Sequence, residues 1–232
     1  MAISAKAHGV ALVLAVWAFV LAAPPRLTAT EAEELSAGSY GEFLILTEQP
    51  ALPAATAPSS AVPILNFGSI SDGVFRGEYL NEEEDYRFLS EELGIATVVD
   101  LRYFHQDDPK LCARYRLNCV DFGLLLFPAQ DRVFDWDIFR EAFHFVAEER
   151  QAGRKTYIHC RYGSDRTGAL ASALIIRDRA CSAGGGAVDK DALWSLIDGT
   201  LSQYGFHHIY GGLHTTIRSW VYDFENNPWL CQ

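Results

Sequence analysis

Apolar residues along this chain change spacing in a regular order, from short runs two apart to stripes three and four apart, and that order predicts alternating strands and helices. Residues 74–77, Val-Phe-Arg-Gly, read as a short strand. Asn81 then stands where a helix cap belongs, and the acidic turn Glu82-Glu83-Glu84-Asp85 suits the positive end of a helix dipole. Tyr86, Leu89 and Leu93 share one face of that helix, and Gly94 ends it. Residues 95–102 are largely apolar and β-branched, the mark of a central strand. A short helix over 111–115 and a strand near 119–122 follow. Next comes an amphipathic helix, capped by Asp135, with Trp136, Phe139, Phe143 and Val146 on one face. Residues 156–159 read as a short buried strand, and 167–177 as a helix buried through Leu170, Ala173, Leu174 and Ile176. Beyond a Gly-rich connection at 182–187, two more helices are predicted over 192–204 and 215–224. The alternation implies an α/β domain from about residue 64 to the C-terminus, with a mostly parallel central sheet flanked by helices.

The chain before residue 64 reads differently. Residues 9–23 carry no charge and follow a single lysine, Lys6. Fifteen residues fall short of the ~20 that a membrane span needs, so residues 1–23 read as an export signal cut near Ala22 or Ala23; the alternative is an anchor formed by residues 9–23. Residues 24–63 shift to Ala, Thr, Pro, Ser and Glu and read as a linker, interrupted by Glu42-Phe43-Leu44-Ile45-Leu46. An apolar content of 49% with 12% aromatic excludes a disordered chain. The net charge of −11, or −12 once Lys6 is removed, argues against nucleic acid and anionic membrane surfaces as partners. An acidic protein that acts on phosphate must concentrate its positive potential locally. Arg161 and Arg166, with Arg132 as a candidate third, are placed to do so.

The chemistry concentrates in His159-Cys160-Arg161-Tyr162-Gly163-Ser164-Asp165-Arg166-Thr167-Gly168. Cys160 sits where a strand ends and Arg166 where a helix begins. The residues between them, Gly163 included, can curl so that their N–H groups and those of the helix start form an anion cradle. A helix N-terminus and a nearby guanidinium lower a thiol from about 8.5 into the ~3.5–7.5 range, which makes Cys160 a thiolate at neutral pH. The planar fork of Arg166 can hold two equatorial oxygens of a phosphoryl group. The Thr167 hydroxyl can hydrogen-bond the sulfur and ease its departure. These groups suit attack of sulfur on phosphorus, and the poor leaving group then needs a proton donor.

This string resembles the signature of the cysteine-dependent protein tyrosine and dual-specificity phosphatases, most of all their small bacterial periplasmic members. The resemblance covers roughly residues 74–178. Val74-Phe75-Arg76-Gly77 resembles the Tyr-Arg-Ser strand of those phosphatases, although Arg76 can also be read as a surface charge, and Asp100-Leu101-Arg102 is similar to the end of their central strand. What the resemblance implies is a fold with the phosphate loop between a strand and a helix, a cysteinyl-phosphate intermediate and no metal or other cofactor. Arg161, Tyr162, Gly163, Ser164, Asp165 and Arg166 would bind phosphate, and His159 would orient the loop by hydrogen bonding. It also implies a general acid on a loop about thirty residues before the cysteine. Asp131, in Leu126-Phe127-Pro128-Ala129-Gln130-Asp131-Arg132-Val133, holds that place, with Asp135, Asp137 and Asp165 as competitors.

A compact domain has little chain for walling a deep cleft. The expected substrates are therefore phosphotyrosine first, aided by Tyr162, then phosphoserine and phosphothreonine. Phosphoinositides or inositol phosphates are the runner-up, disfavoured by Asp165 and an acidic surface. Rival readings are a sulfurtransferase or arsenate reductase, and a phosphate-binding module without turnover. His207, His208 and His214 match no metal-ligand spacing and read as surface or capping residues. Four cysteines remain besides Cys160. Cys112 with Cys119 and Cys181 with Cys231 are the pairs nearest in sequence, among three connectivities open in an oxidising compartment.

Overall fold

The computed structural model describes residues 62–126, 135–181, 188–207 and 210–232. The predicted signal, nearly all of the linker, the loop carrying Asp131 and Arg132, the 182–187 connection and His208 lie outside the described residues.

Five strands form one sheet: β1 (Gly68–Ser71), β2 (Val74–Gly77), β3 (Thr97–Arg102), β4 (Asn118–Leu124) and β5 (Thr156–His159), in the order β1-β2-β5-β3-β4. β1 pairs antiparallel with β2, and every other pair is parallel. Gly77, His159 and Asp100 stand level across β2, β5 and β3, so three carboxyl ends open on one edge of the sheet. That edge is where open α/β sheets place their ligands. β1 was not among the expected strands. Gly-Ser-Ile-Ser has a single apolar residue, and the strand is held by its hairpin with β2 rather than by an alternating pattern.

The helices are α1 (Glu83–Arg87), continued by a π-helical turn at Phe88–Glu92, α2 (Pro109–Arg114), α3 (Trp136–Gln151), α4 (Asp165–Ile176), continued by a π-helical turn at Arg177–Cys181, α5 (Lys190–Gln203) and α6 (Gly211–Tyr222). Short 3-10 turns at Phe224–Asn226 and Pro228–Cys231 close the chain. Asp135 caps α3 as expected, accepting from the N–H groups of Asp137 and Ile138 at 3.1 Å each. Asn81 does not cap α1. Glu82 holds the cap position, and buried Asp85 reaches back to accept from the N–H groups of Asn81 at 2.8 Å and Glu82 at 2.9 Å, which satisfies both donors from inside the helix.

Because side chains alternate along a strand, the sheet builds two cores. Val99, Leu101 and Ile158 face α3 to α6 and pack with Phe139, Phe143, Leu170, Leu174, Ile217 and Trp220. Val98 and Tyr157 face the other way, onto Tyr86, Phe88 and Leu89 in a smaller cluster. Each such fully buried Leu, Ile or Phe contributes about 1.5–3 kcal/mol. Cys112–Cys119 ties α2 to β4 and Cys181–Cys231 ties the end of the π-helical turn to the last 3-10 turn, with Cα separations of 6.2 and 5.5 Å. Both bridges are the pairs nearest in sequence.

Candidate active site

Cys160 follows β5 directly, and Ser164 occupies the cap position of α4, so the turn between strand and helix is very tight. Gly163 makes it feasible: its φ is +67°, and a Cβ there would lie 2.4 Å from the carbonyl carbon and oxygen of Gly77. The loop carbonyls are taken by donors from outside. Arg76 Nη2 donates to Gly163 O, and Asn66 Nδ2 donates to Tyr162 O at 2.8 Å. With its carbonyls held outward, the loop keeps N–H groups for the inside, and those of Tyr162 and Thr167 reach the Cys160 sulfur.

Cys160 is the unpaired cysteine of the five and is 3% exposed. Burial is the largest influence on its thiol and pushes the pKa up. Arg166, the Thr167 hydroxyl and the two N–H groups together overrule burial and hold the thiol below its ordinary range. The buried Thr167 hydroxyl is claimed by no hydrogen bond among the described residues and is near enough to the sulfur to help lower its pKa. Arg166 is fixed by its Nη1, which donates to the carbonyls of Leu101 at 3.2 Å and Leu124 at 2.9 Å, at the ends of β3 and β4. Its remaining N–H groups stay available to an oxyanion.

His159 does not orient the loop. It is fully buried on the smaller-core side, where its Nε2 lies 3.0 Å from Asp107 Oδ2 and its Nδ1 lies 3.7 Å from Asp100. Strand alternation is the reason: the residue before Cys160 must point to the opposite face. Arg102 completes the cluster, with Nη2 at 2.6 Å from Asp100 and 2.9 Å from Asp107. Burial pulls His159 down, but Asp107 and Asp100 outweigh it, so its pKa is raised. Two acidic side chains there face one guanidinium and one imidazole. Asp100, Asp107 and His159 are also the described residues close enough to share a metal ion, their ligand atoms lying within 4.8 Å of one another. Arg102 already binds both carboxylates there. A cavity of about 420 Å³ beside this cluster is lined by Asp100, Asp107, Asp121 and the Cys112–Cys119 bridge, and Cys160 is not among its walls.

Asp165, a competitor for the acid's place, has its side chain engaged by His207. It is 7% exposed, and its two oxygens accept from the backbone N–H of His207 at 2.8 Å and contact His207 Nδ1 at 2.9 Å. This contact belongs to a strap that sequence reasoning missed. Tyr204 stacks under Arg76, Phe206 packs beside Gly168, and His207 binds Asp165, so the turn after α5 braces the base of the phosphate loop. His214 pairs with Asp198 at 2.7 Å, a surface role as expected. Asp137 is exposed and pairs with Arg140. Arg161 and Tyr162 stand exposed at the mouth, and the Arg161 guanidinium lies 5.2 Å from the Tyr162 ring centre.

No family model and no curated protein sequence matches the chain. Among solved structures, TpbA of P. aeruginosa aligns with a TM-score of 0.51 at 20% identity, over 75% of this chain and 92% of that one. The catalytic core of Siw14, a PP-IP phosphatase from S. cerevisiae, aligns with a TM-score of 0.52 at 14% identity, over 74% of this chain and 96% of that one. The fold is that of the cysteine-dependent tyrosine and dual-specificity phosphatases. Within this fold, Cys160, Arg166 and Thr167 converge on the loop between β5 and α4.

Proposed function

We propose that this chain hydrolyses phosphomonoesters through a cysteinyl-phosphate intermediate, without a metal, and that phosphotyrosine on proteins is its preferred substrate. The observation that carries the reading is a lone buried thiol, its pKa lowered by Arg166, Thr167 and loop N–H groups, at the carboxyl end of a mostly parallel sheet. The Cys160 sulfur attacks phosphorus as the ester P–O bond breaks. Arg166 and the N–H groups of residues 161–166 hold the three equatorial oxygens as charge spreads over them. Asp131 gives its proton to the leaving oxygen, then takes one from the water that cleaves the S–P bond and frees inorganic phosphate. Thr167 stabilises the departing thiolate. With the other four cysteines bridged, Cys160 lacks the resolving thiol that arsenate reduction calls on, which favours hydrolysis over redox chemistry.

Exposed Tyr162 at the mouth supports an aromatic phosphoester. A second reading, an inositol phosphate or phosphoinositide, gains from the structure: Asp165 is spent on His207 instead of facing the mouth, and Arg161 is free to meet a second phosphate. Two disulfides fit an oxidising compartment, which supports export to the periplasm after cleavage near residue 23. The test is turnover of phosphotyrosine peptide, phosphoserine peptide and inositol phosphates in EDTA, for wild type, Cys160→Ser and Asp131→Asn. Expected are full wild-type activity, none for Cys160→Ser, a ~10²–10⁴-fold loss for Asp131→Asn on esters with poor leaving groups, and the highest kcat/KM on phosphotyrosine. Loss of activity in EDTA would refute the metal-free mechanism, and an inositol phosphate in first place would select the second reading.

A further inference from the structure

A guanidinium without a carboxylate partner among the described residues lies beneath the loop that follows β5. Arg76 is 1% exposed, on the strand next to β5. Its Nη2 donates to Gly163 O, the Tyr204 ring covers its guanidinium at 4.0 Å, and its Nε and Nη1 meet no hydrogen-bond partner among the described residues. The other buried arginine of the sheet, Arg102, faces two carboxylates. A charge stripped of water persists in a protein core only when something opposite compensates it. The groups near enough to act on Arg76 as anions are Tyr204, Cys160 and Tyr157. Burial lowers its own pKa to about 10, so it remains a cation at neutral pH. Burial raises the Tyr157 hydroxyl well above its ordinary value, whereas the Cys160 thiol is lowered below its own.

We propose that Arg76 is a positioning residue of this site: from below, it fixes the Gly163 carbonyl and so the N–H groups of the loop, and it supplies the positive charge opposite the Cys160 thiolate. The backbone part follows from geometry. Gly163 is the left-handed residue on which the loop turns, and a peptide whose carbonyl is held down presents its N–H upward. The charge part follows from the pairing: the thiolate and, later, the transferred phosphoryl group are the negative charges that Arg76 can meet. Tyr204 holds the guanidinium flat by a cation–π contact, which gives the strap after α5 a part in the site.

The proposal rests on the phosphatase reading, and its test separates the two. Cys160 is the one free thiol, so thiolate absorbance measured against Cys160→Ser in the same background reports on it alone. Wild type should titrate well below an ordinary thiol. Arg76→Gln should raise that pKa by about one unit, because the thiolate loses a facing cation, while Arg76→Lys should stay near wild type. In the Cys160→Ser background, calorimetric binding of inorganic phosphate should weaken about tenfold for Arg76→Gln and for Arg76→Lys, since lysine keeps the charge but not the planar fork that holds Gly163. An ordinary wild-type thiol would sink the phosphatase reading itself. A low wild-type value left unchanged by Arg76→Gln would overturn this inference alone. If Arg76→Gln fails to fold, Arg76→Lys decides: unweakened phosphate binding overturns the proposal.

Discussion

The two faces of the sheet bury an arginine in opposite ways. On the smaller face Arg102 sits with Asp100, Asp107 and His159, four ionisable groups of complementary type whose hydrogen bonds are largely made among themselves. On the larger face Arg76 lies against an aromatic ring and a backbone carbonyl, with its Nε and Nη1 unpartnered among the described residues. The smaller face has a thin apolar cluster and a disulfide, and there the charged network serves the fold by linking β3, β5 and the loop before α2. The larger face has the more extensive apolar cluster, and Arg76 lies buried on that side. Consecutive residues of β5 and its loop, His159 and Cys160, belong to these two regimes. Substitutions on the larger side of the loop should therefore damage turnover first, and those on the smaller side stability first.

The largest contrast comes from Arg166 on the reactive side. Arg166→Ala should lower kcat/KM on an aryl phosphate by about 10³-fold, which is about 4 kcal/mol of transition-state stabilisation, while the melting temperature changes little. Retained turnover would break the comparison at its stronger end. Asp107→Asn tests the other side. It leaves Arg102 and His159 short of one charge in a buried site and should cost about 3 kcal/mol in urea unfolding, with kcat reduced far less than stability. A variant equally stable but inactive would move Asp107 to the catalytic side. Next in size, Cys112→Ser with Cys119→Ser opens a loop of 7 residues and should cost about 2.4 kcal/mol from chain entropy, with the thiol titration of Cys160 unchanged.

The smallest effect is a pH dependence. His159 has a folded pKa raised above its unfolded value of about 6.5, because Asp107 and Asp100 outweigh burial. Its contribution to stability is therefore complete below about 6.5 and is lost as the pH rises through the folded value. Unfolding free energy should fall over that window in wild type and flatten in His159→Gln. The same slope in both proteins would remove His159 from the network.

The strands β2 to β5 and the helices were legible because their apolar periods are strong, and the phosphate loop because strand, glycine and arginine stand at fixed intervals in one segment. The nearest cysteine pairs were also the right ones, since each joins elements that the fold brings together. Arg76 was ambiguous for a physical reason: a four-residue strand shows an arginine but not which face it occupies, and only its shared parity with buried Val74 hints at the interior. Asp107 gave no signal, lying in a polar loop whose partner is fifty-two residues away. The side-chain partner of Asp165 was not legible, because its oxygens are taken by His207 from a strap that no local pattern announces. Asp131, the proposed acid, lies outside the described residues.

The central claim is that the Cys160 sulfur itself takes the phosphoryl group, and acid quenching during turnover tests it directly. Wild-type protein mixed with excess p-nitrophenyl phosphate in EDTA, quenched within the first turnovers and digested, should yield the peptide containing Cys160 with one added phosphoryl group, and Cys160→Ser should yield none. Steady turnover with no phosphoryl group on that peptide, or turnover that survives in Cys160→Ser, would contradict the account.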